Sequence, residues 1–312
     1  MSITIRSVLE GTSSDLSVGG PPRDASRPRE ASARPREPRK EIWFHRRINL
    51  ISALKELWAF RELTATIAER DLRVRYKQAV LGIAWAVIAP VVFMIAFSLL
   101  INHVSKINTG GVPYPLFSYM GLLPWTFFSG AVSNGGLSLV NNNELLNKLY
   151  CPREVFPIAA MVDAVFDAAI ATLVLAVLFP IFGFAPKAEI FYVPLLLVVL
   201  AMFSLGVTLV VAAVTVYARD LRLVLPLAIQ VGLFVTPVVY PSSSIVSSKL
   251  ELLVYSAVNP LAPVIDGLRD TVLHGTAPGF ASLGVGAISA LLYLLGGFML
   301  FKRLETGMAD IA

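Results

Sequence analysis

Apolar positions along the chain change their rhythm twice. From Leu50 to Ala68 they recur every three or four residues, at Leu50, Leu54, Leu57, Phe60, Thr64 and Ile67, while Lys55, Glu56, Glu62 and Glu69 fall elsewhere. That spacing predicts an amphipathic helix. With Trp43, Phe44 and Trp58, and with Arg46, Arg47 and Arg61 beside them, it suits a helix lying in the headgroup layer, cations toward anionic lipid. The alternative is an ordinary surface helix packed on a soluble core.

Beyond Lys77 the period gives way to continuous apolar runs, and no Asp, Glu, Lys or Arg occurs between Lys77 and Lys106. About 20 apolar residues suffice to cross roughly 30 Å of hydrocarbon. Six spans are predicted near 80–102, 115–139, 157–180, 191–217, 223–241 and 280–301, so that both termini lie on one side. Pro90, Pro124, Pro226 and Pro237 fall inside spans, where neighbouring helices re-satisfy the freed carbonyls. The stretch 242–279 is too apolar for a free loop and too charged for a span. Two short re-entrant helices broken at Asn259-Pro260 fit both properties; a folded external cap is the competing arrangement. Residues 1–42, rich in Arg and Pro, read as a disordered tail. Ile3, Ile5, Val8 and Leu9 are interrupted by Arg6 and Glu10 and form no secretory h-region.

Composition agrees with a membrane protein. The 312 residues are 56% hydrophobic with a mean hydropathy of +0.71, and only 15% charged against about 25% in soluble domains. The net charge of +5 is concentrated in residues 1–79, which hold 16 basic and 10 acidic side chains, so no nucleic-acid-binding face is implied. With the N-terminus cytoplasmic, inside segments carry 22 Lys and Arg against four outside, which fixes both termini, 304–312 included, in the cytosol. One cysteine, Cys151, excludes an internal disulfide, and His45, His103 and His274 are too scattered for a metal site.

The chain has no Walker A sequence, no His-Glu-x-x-His, no Gly-x-Ser-x-Gly and no dinucleotide fingerprint. It is therefore expected to be no enzyme and to hold no cofactor, and nucleotide energy would have to come from a separate subunit. Asp163 and Asp167 lie roughly 9 Å and 15 Å along a helix starting at Pro157, on one face. A proton or cation site is one reading; a pair turned inward and hydrogen-bonded to neighbouring helices is the other. The hairpin from Asn141 to Pro157 predicts one short helix, about Asn143 to Leu149, ending before Pro152. Its Leu145, Leu146 and Leu149 beside Glu144, Lys148 and Arg153 suit docking in a partner's groove, where a plain connecting turn is the alternative. Trp125, Phe128 and Tyr240, among the aromatic residues toward the outer half of several spans, are candidate rings along a path through the membrane; belting at the interface explains aromatic residues equally well.

Several sequences occur in one order: Arg70-Asp71-Leu72-Arg73-Val74-Arg75-Tyr76-Lys77-Gln78 with Leu81-Gly82-Ile83-Ala84-Trp85 and Pro90; Gly121-Leu122-Leu123-Pro124-Trp125-Thr126-Phe127-Phe128; the Asn141–Pro157 hairpin; Tyr217-Ala218-Arg219-Asp220; Thr236-Pro237-Val238-Val239-Tyr240-Pro241; and Asn259-Pro260 through Gly267-Leu268-Arg269. Together, over about 50–303, they resemble the type-2 ABC exporter permeases for O-antigen, capsule and teichoic acid. The resemblance implies an all-α membrane protein of six transmembrane helices in the cytoplasmic membrane. Residues 43–79 would hold the amphipathic interface helix, with Leu54, Leu57, Trp58 and Phe60, and the juxtamembrane segment; Glu144 to Leu149 would be the coupling helix and 242–279 the re-entrant pair, with Asn259 at the outer mouth. It further implies a second copy of the chain, two ATP-binding subunits carrying ATP and Mg, and a lipid-linked glycan as cargo. Arg70, Arg73, Arg75 and Lys77 are the candidate partners of a lipid phosphate, positive-inside anchoring being their other use. Exporters of small drugs or lipids share this fold; a membrane transferase would rest on Asp266 and Asp270, and a secondary transporter on Asp163 and Asp167. Deleting residues 1–40 is expected to leave membrane assembly and transport intact, checked by expression level and export; collapse of expression would make the tail structural.

Overall fold

The computed structural model describes residues 50–77, 82–104, 109–148, 151–185 and 187–308. The predicted tail 1–42, residues 43–49, Leu149 and 309–312 lie outside the described residues, as do the side chains of Leu54 and Lys148. Regular structure among the described residues is all helical.

Helix α1, Leu50–Ala59, and helix α2, Arg61–Lys77, divide the predicted amphipathic helix in two. Phe60 stands between them, its N–H still donating to the Glu56 carbonyl at 3.1 Å, so the division is a kink rather than a loop. The apolar spacing stops near Ala68, yet α2 continues to Lys77 because its last turn has polar partners on a neighbouring helix. Thr64, Ile67 and Ala68 of α2 are buried on protein, among Leu139, Phe156, Ala159 and Phe301. Leu57 and Phe60 pack against the same cluster, while Trp58 is 72% exposed with Arg61 over its ring.

Helix α3 (Ala84–Val104) is followed by α4 (Tyr114–Asn141), the hairpin helix α5 (Asn143–Lys148), α6 (Val155–Ile181) and α7 (Val193–Tyr217). Among the described residues four helical stretches are long and apolar enough to cross a membrane: Ala84–Ile101, Val155–Ile181, Ala188–Tyr217 and Phe280–Glu305. Helix α4 is long as well, with 28 residues or roughly 42 Å, but Gly, Ser and Asn dilute its hydropathy. The reason is positional: 17 of those residues are buried, so α4 faces protein, whereas α3, α6 and α11 are mostly exposed and α7 is half buried. It packs between α6 and α7, and α7 packs in turn on the last helix, α11 (Phe280–Met308).

Helix α8 (Leu221–Val235) stops short of the predicted 241. Pro237 bars Thr236 from helical dihedrals, and Thr236 is extended at ψ 143°. Two short helices follow, α9 (Lys249–Val258) and α10 (Leu261–Arg269), separated at Asn259-Pro260. Ser248 and Glu251 form a reciprocal capping box at the start of α9, and α10 runs on into a π-helical turn, Asp270–His274. Toward this end α6 and α7 splay apart, leaving an apolar cavity of about 930 Å³ closed by α4 and α10.

The α7–α11 crossing depends on glycine. A Cβ on Gly206 would sit 2.5 Å from the Tyr293 carbonyl carbon, and one on Gly297 2.3 Å from the Gly206 oxygen. Only hydrogen lets these backbones approach so closely. Gly297→Ala is expected to force the helices apart and cost about 1–3 kcal/mol, read as a lowered midpoint in thermal unfolding of the detergent-solubilised chain; an unchanged midpoint would refute the close crossing.

Candidate functional site

Asn142 ends α4, its N–H donating to the Ser138 carbonyl at 3.0 Å, and its own carbonyl accepts from Leu145 at 3.0 Å to start α5. The turn is tied down by its side chain. Asn142 Nδ2 donates to the Ser138 carbonyl at 2.9 Å, and Oδ1 accepts from Arg70 Nη2 of α2 at 2.6 Å. Leu145 and Leu146 pack on the Ile67–Phe156 cluster, while Asn143 and Glu144 are exposed. Leu145 and Leu146, two of the three leucines expected in a partner's groove, thus hold the hairpin helix on its own bundle, with Asn143 and Glu144 turned outward.

The second limb of the hairpin is fixed to α11. Arg153 Nη1 donates to the Glu305 carbonyl at 3.3 Å. Glu154 is 1% exposed and paired with Lys302, which also holds Glu305 at 2.9 Å. Burial, followed by the nearby Glu305 charge, pushes the Glu154 carboxyl up, and the Lys302 ammonium opposes that shift. Cys151 is likewise pushed up, by burial first and by Glu154 second, which keeps it a thiol.

Helix α2 is clasped to α6 at its other end. Asp163 and Asp167 sit four residues apart on one face of α6, roughly 12 Å and 18 Å from Val155. Arg75 Nη1 meets Asp167 Oδ2 at 2.8 Å and Nη2 lies 3.7 Å from Asp163 Oδ2. The Tyr76 hydroxyl donates to Asp167 Oδ1. Burial, and after it that hydrogen bond, push the Tyr76 phenol up to about 12, so it stays a donor. Asp163 is 1% exposed and its Oδ1 has no hydrogen-bond partner among the described residues. Of the four cations suggested for a lipid phosphate, Arg75 pairs in this way, Arg70 bonds Asp71 and Asn142, Arg73 pairs with Glu69, and Lys77 is exposed.

At the opposite end a residue that sequence reasoning counted as an outside charge and as the last member of a motif, but not as a site residue, is central. Arg269, 2% exposed, donates to the carbonyls of Pro237 at 2.8 Å, Val238 at 2.5 Å, Tyr240 at 3.2 Å and Phe117 at 3.4 Å. Its Cζ lies 3.8 Å over the Phe117 ring, and Asp266 is 3.6 Å away. Gly121 makes room: a Cβ there would fall 2.2 Å from the Val238 oxygen. The signal in the sequence was a lone arginine three residues after Asp266 in an otherwise apolar short helix.

Tyr240 donates through its hydroxyl to the Phe234 carbonyl at 2.6 Å; Asn259 Nδ2 donates to Thr236 Oγ1 at 2.9 Å while its Oδ1 accepts from the Leu261 N–H. Trp125 is buried under Gly232 of α8, and Phe128 stacks on Phe203 at 5.2 Å, which meets Tyr293 edge-on at 5.1 Å. These rings form a row from α4 through α7 to α11 that starts buried at Trp125 and ends exposed at Tyr293.

Arg75→Met would leave two carboxylates without their cation, a loss of about 3 kcal/mol for a pair this buried. We expect a lowered unfolding midpoint for that variant and substantial recovery when Asp163→Asn and Asp167→Asn are added. A triple variant no more stable than the single one would contradict the clasp.

The family model for ABC-2 type transporters matches residues 62–273, which takes in α2, the hairpin and Arg269. The O-antigen export system permease protein RfbA of Myxococcus xanthus is 28% identical over 257 residues, 82% of this chain and 98% of that protein. A protein of the same description from Klebsiella pneumoniae is 26% identical, over 80% of this chain and 95% of its own length. The polysialic acid transport protein KpsM of Escherichia coli is 23% identical, over 77% and 92%. With its family match extending over more than half its length, the chain belongs to the ABC-2 type transporter family.

Proposed function

We propose that the chain is the permease subunit of an ABC transporter that exports a lipid-linked polysaccharide across the cytoplasmic membrane, powered by separate ATP-binding subunits. The observation that carries this reading is the hairpin helix α5, bonded to α2 through Arg70–Asn142 and to α11 through Arg153–Glu305, with Asn143 and Glu144 on its outer face. A helix held at both limbs moves as a body when pushed, which is what coupling to a cytosolic motor requires. The proteins it is similar to, described as O-antigen export and polysialic acid transport components, support a glycan as the cargo.

In this reading α4 and α8 complete six crossings, α9 and α10 form a re-entrant pair at the outer mouth, and both termini lie in the cytosol. Two copies of the chain enclose the path, and two partner subunits hold ATP and Mg. Glu144, Leu145, Leu146, Lys148, Leu149 and Arg153 form the coupling region; the leucines that are described anchor it, and Glu144 meets the partner. Leu54, Leu57, Trp58 and Phe60 belong to the interface helix. Arg73 and Lys77, two of the exposed cations of α2, face a lipid phosphate at the cytosolic leaflet, while Arg70 and Arg75 hold the helix in place. Tyr240 and Asn259 shape the outer mouth, with Trp125 and Phe128 behind α8. The apolar cavity between α6 and α7 favours a second reading, export of a small lipid by the same fold.

Glu144→Lys should abolish stimulation of the partner ATPase and cut glycan export about tenfold or more, the effect of losing one charged contact at a docking surface, with membrane level unchanged. Unchanged export would count against the docking helix. Stimulation by a small lipid but not by a lipid-linked glycan would favour the second reading.

A further inference from the structure

A second cavity, of about 300 Å³, lies where the segment before α4, the segment after α8, α10 and the start of α11 meet. It is at the small end of ligand cavities, about 300–1,000 Å³, and differs in character from the apolar one. Ser242, Ser243, Asp266, Asp270, His274 and Ser282 supply its polar lining, while Leu252 and Pro263 give it an apolar wall. Arg269 also lines it, but its donors are directed at the carbonyls of Phe117, Pro237, Val238 and Tyr240.

The charges decide what fits. Two carboxylates against one guanidinium whose donors are already engaged disfavour an anion. Among the described residues no group of three or more His, Cys, Asp or Glu side chains is arranged to hold a metal ion. What remains suited is a neutral molecule that offers many hydroxyl donors and one apolar face. Carboxylates accept hydrogen bonds from hydroxyl groups strongly, serine hydroxyls adapt as donor or acceptor, and the Leu252 and Pro263 wall suits the C–H face of a sugar ring. Asp266 is oriented for this by Ser242, whose hydroxyl and N–H both bond its carboxylate.

We propose that this cavity is a saccharide subsite that holds one neutral sugar unit at the outer mouth. The proposal rests on the reading of the chain as a glycan-export subunit and adds a direct contact between that cargo and α10. Pro241 lines the subsite and follows Tyr240, which the export reading places at the outer mouth, so a glycan leaving the membrane would meet it at the exit.

Saturation-transfer NMR on the full-length chain in lipid nanodiscs tests it, with glucose, galactose and mannose as neutral probes and glucuronate as the charged one. Two variants accompany the native chain: Ser243→Phe, an exposed position whose new ring fills the mouth, and Asp270→Asn, which weakens the acceptor. We expect transfer to at least one neutral hexose, none to glucuronate, and a loss of affinity of about tenfold in each variant. Transfer unaffected by Ser243→Phe, or equal for glucuronate, would overturn the subsite. Export by the same variants separates the two claims: no hexose binding alongside normal export overturns the subsite and leaves the export reading standing. A strain lacking the chain that still exports its surface glycan overturns the export reading, and the assignment of the subsite to that glycan with it.

Discussion

A backbone carbonyl freed from a helix and shut away from water needs another donor, and the segment after α8 meets that constraint with side chains. From Phe234 to Tyr240, six carbonyls have named donors: Tyr240 for Phe234, Tyr255 for Val235, Arg269 for Pro237, Val238 and Tyr240, and Tyr114 for Val239. Because Arg269 serves three of them, α10 must lie against the end of α8, and Gly121 must lie where α4 passes beneath. Pro237 ends α8, and one guanidinium then holds the freed segment, α10 and the polar cavity beside it together.

A similar requirement, a polar group that must be matched where water is scarce, organises the end of the bundle that carries the hairpin. Arg75 answers Asp163 and Asp167, and Arg70 bonds the Asn142 amide, so that α2 is joined both to α6 and to the hairpin corner. Lys302 answers Glu154 and ties the other limb to α11. A buried pair such as Glu154–Lys302 adds little net stability compared with an apolar contact, yet breaking it is costly. Its use here is geometric. These bonds link the hairpin's two limbs, α2 and the adjoining ends of α6 and α11 to one another.

The hairpin helix was legible because its limits are local: an asparagine run to start it and Pro152 to end it. Hydropathy revealed the four apolar stretches long enough to span, since each shows lipid-like composition along its length, the half-buried α7 included. It understates α4, whose glycines and serines pack on protein and so need not be apolar. The kink at Phe60 and the extension of α2 to Lys77 left no mark in the spacing, because what continues the helix is Asp167, 92 residues from Arg75. Arg269 is the strongest case. Its partners lie about 30 and about 150 residues away in the chain, and no local pattern distinguishes a guanidinium spent on carbonyls from one exposed at a loop.

The claim that the chain is a membrane subunit driven from the cytosol through α5 is tested most directly by photo-crosslinking in cells. A photoreactive residue is placed at position 144, with position 243 as the control. The account expects an adduct between position 144 and the ATP-binding subunit, and none from position 243. An adduct formed from position 243 and absent from position 144 would contradict it.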